Sequence, residues 1–136
     1  MNRSFLLGYQ LMIGVSDTAT GAVLLLVPQA TLWLLGLHAP SDALPFLSYI
    51  GAFVFAVGLS CIYGAVLMAR EWDQCRLETV WLLTAFARAS VALFITAQLL
   101  AHALEAGWLM IAVFDGACVI LQGIGLRQGW LRDVAH

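Results

Sequence analysis

The sequence contains no lysine, so its six positively charged side chains are all arginines. Charged residues make up only 10% of the 136 residues and hydrophobic residues 62%, against roughly 25% and 45–50% in soluble domains. A water-soluble surface cannot be built from this composition. The net charge is -2, and the sequence has no basic stripe of the kind that binds a phosphate backbone, so we expect no nucleic acid partner.

The sequence also lacks the residue spacings of a metal site or a haem. Its three cysteines, Cys61, Cys75 and Cys118, form no Cys-x-x-Cys motif, which argues against a zinc site. None of its histidines lies inside an apolar run, where a bis-histidine haem would need two. We therefore predict no metal site, no disulfide framework and no cofactor that the sequence itself identifies.

Apolar runs dominate what is present, and four of them can cross a hydrocarbon core of roughly 30 Å. They cover residues 5–27, 46–68, 78–101 and 107–126 of a single domain, residues 1–136. A shorter run from Ala30 to Leu37, with Trp33 at headgroup depth, predicts an interfacial helix. The predicted fold is an all-α integral membrane protein, a four-transmembrane-helix bundle with a short interfacial helix between its first two spans.

Arginines flank these spans on one side only. The flanking arginines are Arg3, Arg70, Arg76, Arg127 and Arg132, whereas the first and third connections contain neither arginine nor lysine. The positive-inside rule places the arginine-bearing side in the cytoplasm. We predict a multi-pass protein of the bacterial inner (cytoplasmic) membrane with both termini in the cytoplasm.

Glycine pairs seven residues apart recur in three of the predicted spans. They are Gly14 and Gly21, Gly51 and Gly58, and Gly116 and Gly123. Two helical turns place each pair on one stripe, where the missing side chains allow neighbouring backbones to approach. We predict that the three pairs are helix-packing seams, and that Gly51 and Gly58 could also dock a partner.

The tryptophans form a second regular pattern, because all of them lie near predicted helix ends or connections. They are Trp33, Trp72, Trp81, Trp108 and Trp130. Amphipathic rings at such positions are typical of the headgroup region. We predict that they form an aromatic belt.

Three charged residues lie near the middle of predicted spans, namely Asp17, Arg88 and Asp115. An ionised side chain at that depth costs at least roughly 2.5–3.5 kcal/mol on insertion scales, so these residues should pair. Arg88 stays protonated, and its planar fork can bridge carboxylates from two helices. We predict a buried Asp17–Arg88–Asp115 cluster, whose net negative charge with both carboxylates ionised would be balanced by a proton or another cation.

This cluster has two interpretations. As a structural element it fixes the register of the helices, as buried polar groups do in some proteins. As a functional element it marks a site, because charges within membranes commonly line substrate, ion or proton pathways. Both interpretations stay open at the level of the sequence.

A set of aromatic and hydroxyl side chains in the second span predicts a ligand pocket. Spacings of four, three, four and three residues place Tyr49, Phe53, Ala56, Ser60 and Tyr63 on one helical face. Thr84 lies one turn before Arg88 in the third span. We predict that Tyr49, Phe53, Ser60, Tyr63 and Thr84 bind a ligand.

The chain resembles DoxX-like proteins, a group of small four-helix bacterial membrane proteins. The likeness lies in the glycine-bearing first helix that ends at a proline, the Gly-Ala-Phe-x-Phe-Ala-x-Gly-Leu segment from Gly51 to Leu59, and the polar residues of the last two helices. Members of that group are membrane partners of oxidoreductase systems, including thiosulfate:quinone oxidoreductase in one branch. The resemblance implies an accessory role in a redox complex.

Three functions are compatible with these residues. The first is a non-catalytic membrane subunit that joins a larger complex or its own copies and binds a lipophilic molecule such as a quinone or pigment. The second is an enzyme acting on a membrane-dissolved substrate in the manner of an epoxide hydrolase, isomerase or cyclase. One of Asp17 and Asp115 would then be its catalytic base and the other its catalytic acid, and Arg88 would orient both. The third is a small proton-coupled transporter. We favour the first, because a bundle this short offers more surface to lipid and partners than interior volume.

Overall fold

The structure, a computed structural model, describes residues 3–70 and 73–133, with only the backbone for 132 and 133. The described chain is helical apart from its connections and has no strands. Its helices are α1 (Arg3–Leu26), α2 (Pro28–Leu34), α3 (Leu44–Arg70), α4 (Gln74–Leu100), α5 (Leu109–Arg127) and α6 (Trp130–Asp133), with short 3-10 turns at Ser41–Ala43 and Ala106–Trp108. Within the described residues, four helices are long and apolar enough to cross a membrane, namely α1, α3, α4 and α5. They correspond to the four predicted spans, with ends that differ by a few residues.

A proline and a glycine delimit α2. Pro28 occupies the first turn of α2, where its missing N–H costs no hydrogen bond. The helix ends at a left-handed Gly36 (φ 65°), and the amide of Leu37 donates to the carbonyl of Leu32 at 2.9 Å. This is a Schellman ending, and it folds Leu37 back onto Leu32 in a small core that also contains Leu47 of α3. One face of α2 is therefore packed on α3, while Trp33 is exposed.

Glycines allow α1 and α3 to pack with their backbones in contact. A Cβ atom on Gly21 would lie 2.3 Å from the Phe55 amide nitrogen, and one on Gly58 would lie 2.4 Å from that of Thr18. Both distances are too short for any side chain, and Gly14 and Gly51 meet the opposite helix in the same way. The predicted seams of the first two spans are confirmed. Because they face each other, Gly51 and Gly58 are not free to dock a partner.

The glycine pair of α5 has no such role. A Cβ atom on Gly116 or Gly123 would meet nothing within 4 Å. The prediction of a packing seam within the chain is therefore wrong for α5. Seven-residue spacing indicates only that two glycines share a helical face, and this face of α5 has no neighbouring helix among the described residues.

The long helices form two close pairs, α1 with α3 and α4 with α5, and the pairs stand apart from each other. In the described ranges, no Cα atom of α1 lies within 8 Å of one in α4 or α5, and the same holds between α3 and α5. Only α3 and α4, which are joined by a short connection, make close backbone contacts between the pairs. The space between the pairs is therefore filled by long side chains.

The two ends of the bundle differ in character. α1 and α4 begin, and α3 and α5 end, at what we call the arginine end, where the Arg3 guanidinium donates to the Met68 carbonyl at 2.6 Å. A plug of large side chains fills the space between the pairs there: Leu6, Leu67, Met68, Leu77, Trp81 and Leu131. At the opposite end, which we call the histidine end, His38 Nδ1 lies 3.7 Å from Glu105 Oε2 and links the two connections.

Trp81 contradicts the predicted aromatic belt. It is fully buried in the plug, and its indole N–H donates to Gln10 Oε1 at 3.0 Å. A tryptophan near a helix end can face either lipid or the interior, and the wide space between the helix pairs favours the interior here. Trp108 and Trp130 are half-buried, and Trp72 lies outside the described residues.

Candidate functional site: a buried ion cluster and two adjoining hollows

The predicted charged cluster is present between the two helix pairs. Arg88 of α4 donates from Nη1 to Asp115 Oδ1 of α5 at 2.5 Å, and from Nη2 to Asp17 Oδ2 of α1. Arg88 is 4% exposed and each aspartate 8%. One guanidinium therefore holds carboxylates from both helix pairs, across a space that a shorter side chain would not cross.

The charges of the cluster do not cancel when both carboxylates are ionised. Its formal charge is then one negative, and it is zero when one carboxylate carries a proton. The Phe114 ring adds a cation–π contact, with its centroid 5.6 Å from Arg88 Cζ. A group of this kind can exchange one proton while Arg88 keeps its position.

Two buried thiols lie on the arginine-end side of the cluster, Cys61 of α3 and Cys118 of α5. Both cysteines pack with Ile13 of α1, so that all four long helices contribute residues in or next to the site. Since no Cα atoms of α3 and α5 come within 8 Å of each other, these cysteines are too far apart for a disulfide without movement of the backbone. Cys75 is exposed at the start of α4.

Amide side chains that the sequence reasoning missed extend the polar interior towards the arginine end. Gln122 donates to the Thr84 hydroxyl at 3.0 Å, and Gln10 donates to the Cys61 carbonyl at 3.1 Å while accepting from Trp81. Gln10 and Gln122 are each 1% exposed. The signal in the sequence was a glutamine inside an apolar run, which at that depth needs a partner just as an aspartate does.

A groove of about 350 Å³ opens between α3 and α4, and it contains three of the predicted ligand-binding residues. It is lined by Val57, Leu59, Ser60, Tyr63, Val80, Leu83, Thr84 and Ala87. Ser60, Tyr63 and Thr84 are its hydroxyl-bearing residues, and the Thr84 hydroxyl bonds Gln122 of α5. Thr84 and Ala87 lie close to Arg88 in the sequence of α4. We call this space the α3–α4 groove.

The structure does not bring Tyr49 and Phe53 into that groove. Both side chains are exposed on the outer surface of α3, where their rings contact each other edge to face at 4.9 Å. The face predicted from their spacing exists and lies opposite Gly51 and Gly58, which pack on α1. Only its part nearer the arginine end, with Ser60 and Tyr63, lines the groove.

A second hollow, which we call the α5 cleft, lies on the histidine-end side of the cluster. Its volume is about 760 Å³, and it is lined by Leu35, Ala106, Gly107, Leu109, Met110, Val113, Phe114 and Ala117. Phe114 belongs both to this lining and to the contact with Arg88. Every residue of this lining is exposed, and most of its α5 residues lie on the helical face opposite Asp115, so the cleft is a depression in the outer surface of the bundle.

Among the described residues, no group of three or more histidine, cysteine, aspartate or glutamate side chains is arranged to hold a metal ion. The chain's own chemistry at this site is thus that of carboxylates, a guanidinium, thiols and hydroxyls. No protein-family model, curated protein or solved structure matches the chain.

Proposed function

We propose that the chain is a multi-pass protein of the bacterial inner membrane with both termini in the cytoplasm and α2 in the membrane interface. The support is the set of four apolar helices together with the grouping of Arg3, Arg70, Arg76 and Arg127 at one end of the bundle. Positively charged residues next to short connections are retained on the cytoplasmic side. The exposed Trp33 on the outer face of α2 suits the headgroup region.

Within the membrane, the chain binds a lipophilic molecule with a polar head group in the α3–α4 groove. The observation that carries this proposal is the groove's composition, an apolar lining with the exposed, hydroxyl-bearing Ser60 and Tyr63, next to Thr84, whose hydroxyl already bonds Gln122. Ligand sites combine mostly apolar walls with a few placed polar groups in this way. Its volume of about 350 Å³ suits a ring-sized head group, such as that of a quinone or a pigment, with the apolar tail outside in lipid.

The bound molecule would serve a larger complex rather than a reaction of the chain itself. Each aspartate accepts a hydrogen bond from a terminal nitrogen of Arg88, and none of the three residues lines the α3–α4 groove in which the molecule would bind. The resemblance to DoxX-like proteins favours a redox complex as the partner. An assembly of several copies of the chain is the alternative.

Native mass spectrometry of the protein purified in mild detergent tests this proposal. We expect a small lipophilic molecule or a companion subunit to copurify, and a short-chain benzoquinone with a photoreactive tail to label residues of the groove. Ala87→Trp fills the groove and should abolish that labelling. Ala97→Trp places the same side chain on an exposed position of α4 outside the groove and should leave it unchanged. Equal labelling of both variants would refute the groove as the binding site.

An enzyme that uses the cluster for acid–base chemistry is the second candidate, and the observation in its favour is the presence of two buried carboxylates on one guanidinium. Asp115→Asn separates the two functions. The substitution should abolish turnover in an enzyme, but it should leave benzoquinone labelling of the groove intact in a binding subunit.

A further inference from the structure

Each carboxylate of the charged cluster has one oxygen without a hydrogen bond. Arg88 donates to the other oxygen of each aspartate, and among the described residues no group donates to Asp17 Oδ1 or Asp115 Oδ2. Neither of these two oxygens is fully buried. The Asp17 side chain is 10% exposed and that of Asp115 12%, against 5% for Arg88. The cluster can therefore be reached from outside the bundle at its carboxylates.

On α1, the side next to Asp17 that faces away from α3 is uncovered. Around this helix, Gly14 and Gly21, which meet α3, lie on one side of Asp17, and Ser16 lies on the other. Ser16 is exposed. The uncovered side of α1 thus adjoins the cluster.

On α5, a matching side faces away from α4. Gly125, whose Cβ would meet Trp81 of α4, lies on one side of Asp115, and Gly116 lies on the other. A Cβ atom on Gly116 would meet nothing within 4 Å. The open glycine is therefore the neighbour of Asp115 on the side that α4 does not cover.

These two uncovered sides border the same opening. The helices α3 and α4 contact each other on one side of the bundle, which leaves α1 and α5 on the other, and in the described ranges no Cα atom of α1 lies within 8 Å of one in α5. Ser16 and Gly116 each adjoin an aspartate of the cluster in sequence, so both lie at its level. We call the space between them the α1–α5 opening.

The charge and the exposure of the cluster define the ligand that fits this opening. With both carboxylates ionised the cluster has one uncompensated negative charge, and a charge in an apolar layer needs a counter-charge because lipid does not solvate it. Since only about a tenth of each aspartate side chain is exposed, the cation has to be about as small as water. A primary ammonium group has that size and donates three hydrogen bonds.

We infer that the α1–α5 opening binds a primary alkylammonium ion, the protonated form of an amine dissolved in the lipid. Its ammonium group bonds Asp17 Oδ1 and Asp115 Oδ2, and its apolar tail extends through the opening into lipid. Arg88 keeps both carboxylates in place, and the occupied cluster is electrically neutral. This inference rests on the proposed membrane insertion but not on a ligand in the α3–α4 groove, which lies on the other side of the bundle.

Photoaffinity labelling with three matched probes tests this site. The probes share one alkyl chain with a diazirine next to the head group, and their head groups are a primary ammonium, a trimethylammonium and an alcohol. The full chain is placed in liposomes of phosphatidylcholine, which has no primary amine. Peptide mass spectrometry measures labelling around Ser16 and Gly116 relative to that at Tyr49 and Phe53, which are exposed on the outer surface of α3. The primary ammonium probe should give a several-fold higher ratio than the other two probes.

Three substitutions locate the site. Gly116→Leu fills the opening beside the cluster and should lower the ratio for the ammonium probe to that for the alcohol probe. Gly123→Leu is the matched control, because it adds the same side chain two turns further along the same side of α5, where a Cβ atom also meets nothing within 4 Å. This variant should keep the wild-type ratio. Asp115→Asn removes the uncompensated charge while Arg88 stays paired with Asp17, and it should also lower the ratio to that for the alcohol probe.

Ser16→Leu closes the opening from α1 and repeats the test should Gly116→Leu fail to fold. Circular dichroism and elution volume identify the folded variants. Equal ratios for the ammonium and alcohol probes in the wild type overturn the site, as does a wild-type ratio in folded Ser16→Leu or Asp115→Asn protein. Equal ratios for the two cationic probes overturn the primary ammonium, and a loss in Gly123→Leu as large as in Gly116→Leu overturns the location. The groove is tested by benzoquinone labelling of α3 and α4, so this inference and the proposed function fail separately.

Discussion

Replacing Arg88 with methionine should destabilise the bundle far more than replacing either aspartate with asparagine. Arg88 is the only positively charged side chain among the buried residues that the structure describes. Its removal leaves Asp17 and Asp115 facing each other with no counter-charge, and each is only 8% exposed. An Asp→Asn change instead leaves Arg88 paired with the remaining carboxylate, and the formal charge of the cluster becomes zero.

The magnitudes follow from the geometry. Removing one partner of a buried ion pair costs about 3–5 kcal/mol, and Arg88→Met should reach at least the upper part of that range because two carboxylates lose their partner. Asp17→Asn or Asp115→Asn should cost about 1–3 kcal/mol, the usual cost of weakening one buried hydrogen bond. In the triple variant Asp17→Leu, Arg88→Met and Asp115→Leu, no buried charge is left, so most of the loss caused by Arg88→Met should be recovered.

Unfolding by sodium dodecyl sulfate in mixed micelles gives the free energies that test this order. Loss of helix is followed by circular dichroism, and exposure of the tryptophans, among them the buried Trp81, by fluorescence. The electrostatic account would be wrong if Arg88→Met were within about 1 kcal/mol of the wild type, well below the range for a broken buried pair. It would also be wrong if the triple variant were as unstable as Arg88→Met alone.

Three further predictions concern the packing and the orientation of the chain. Gly58→Ala should lower the free energy of unfolding by about 1–3 kcal/mol, because the added methyl group overpacks the contact with α1. Gly116→Ala adds a methyl group that meets nothing within 4 Å and should be neutral or stabilising in the same unfolding assay. Equal effects of the two substitutions would contradict the glycine seam between α1 and α3. Gln10→Leu leaves the Trp81 N–H without its acceptor and should lower the free energy of unfolding by about 1–3 kcal/mol. An unchanged free energy of unfolding would contradict this role of Gln10. Reporter fusions at the two termini should both be active on the cytoplasmic side, and opposite locations would refute the even number of crossings.

The sequence predicted the features that depend on position along a single helix. Apolar length located the four long helices, and depth within each run identified Asp17, Arg88 and Asp115. The pairing of these three was also predictable, because one arginine and two aspartates in apolar surroundings have few other partners. The charge of each residue and its depth within its helix were enough to predict that three residues far apart in the sequence meet at one site.

The features that the sequence did not predict depend on which face of a helix meets its neighbour. The outward rotation of Tyr49 and Phe53, the open glycines of α5 and the burial of Trp81 all belong to this class. In a soluble protein the polar face of a helix indicates which side faces water. These helices are apolar on every side, so one sequence does not indicate which apolar face packs and which meets lipid.

The arrangement in two helix pairs has a consequence for the synthesis of the chain. The N-terminal part of a protein is synthesised first. The helices α1 and α3 can therefore pack against each other through their glycines before α4 and α5 have been synthesised. Asp17 precedes Arg88 by 71 residues, so in a chain inserted as proposed it enters the bilayer before the partner that it has in the finished protein. During this interval the carboxylate has to be carried as a neutral acid or shielded by the insertion machinery. Arrival of Arg88 in α4 then joins the second pair to the first.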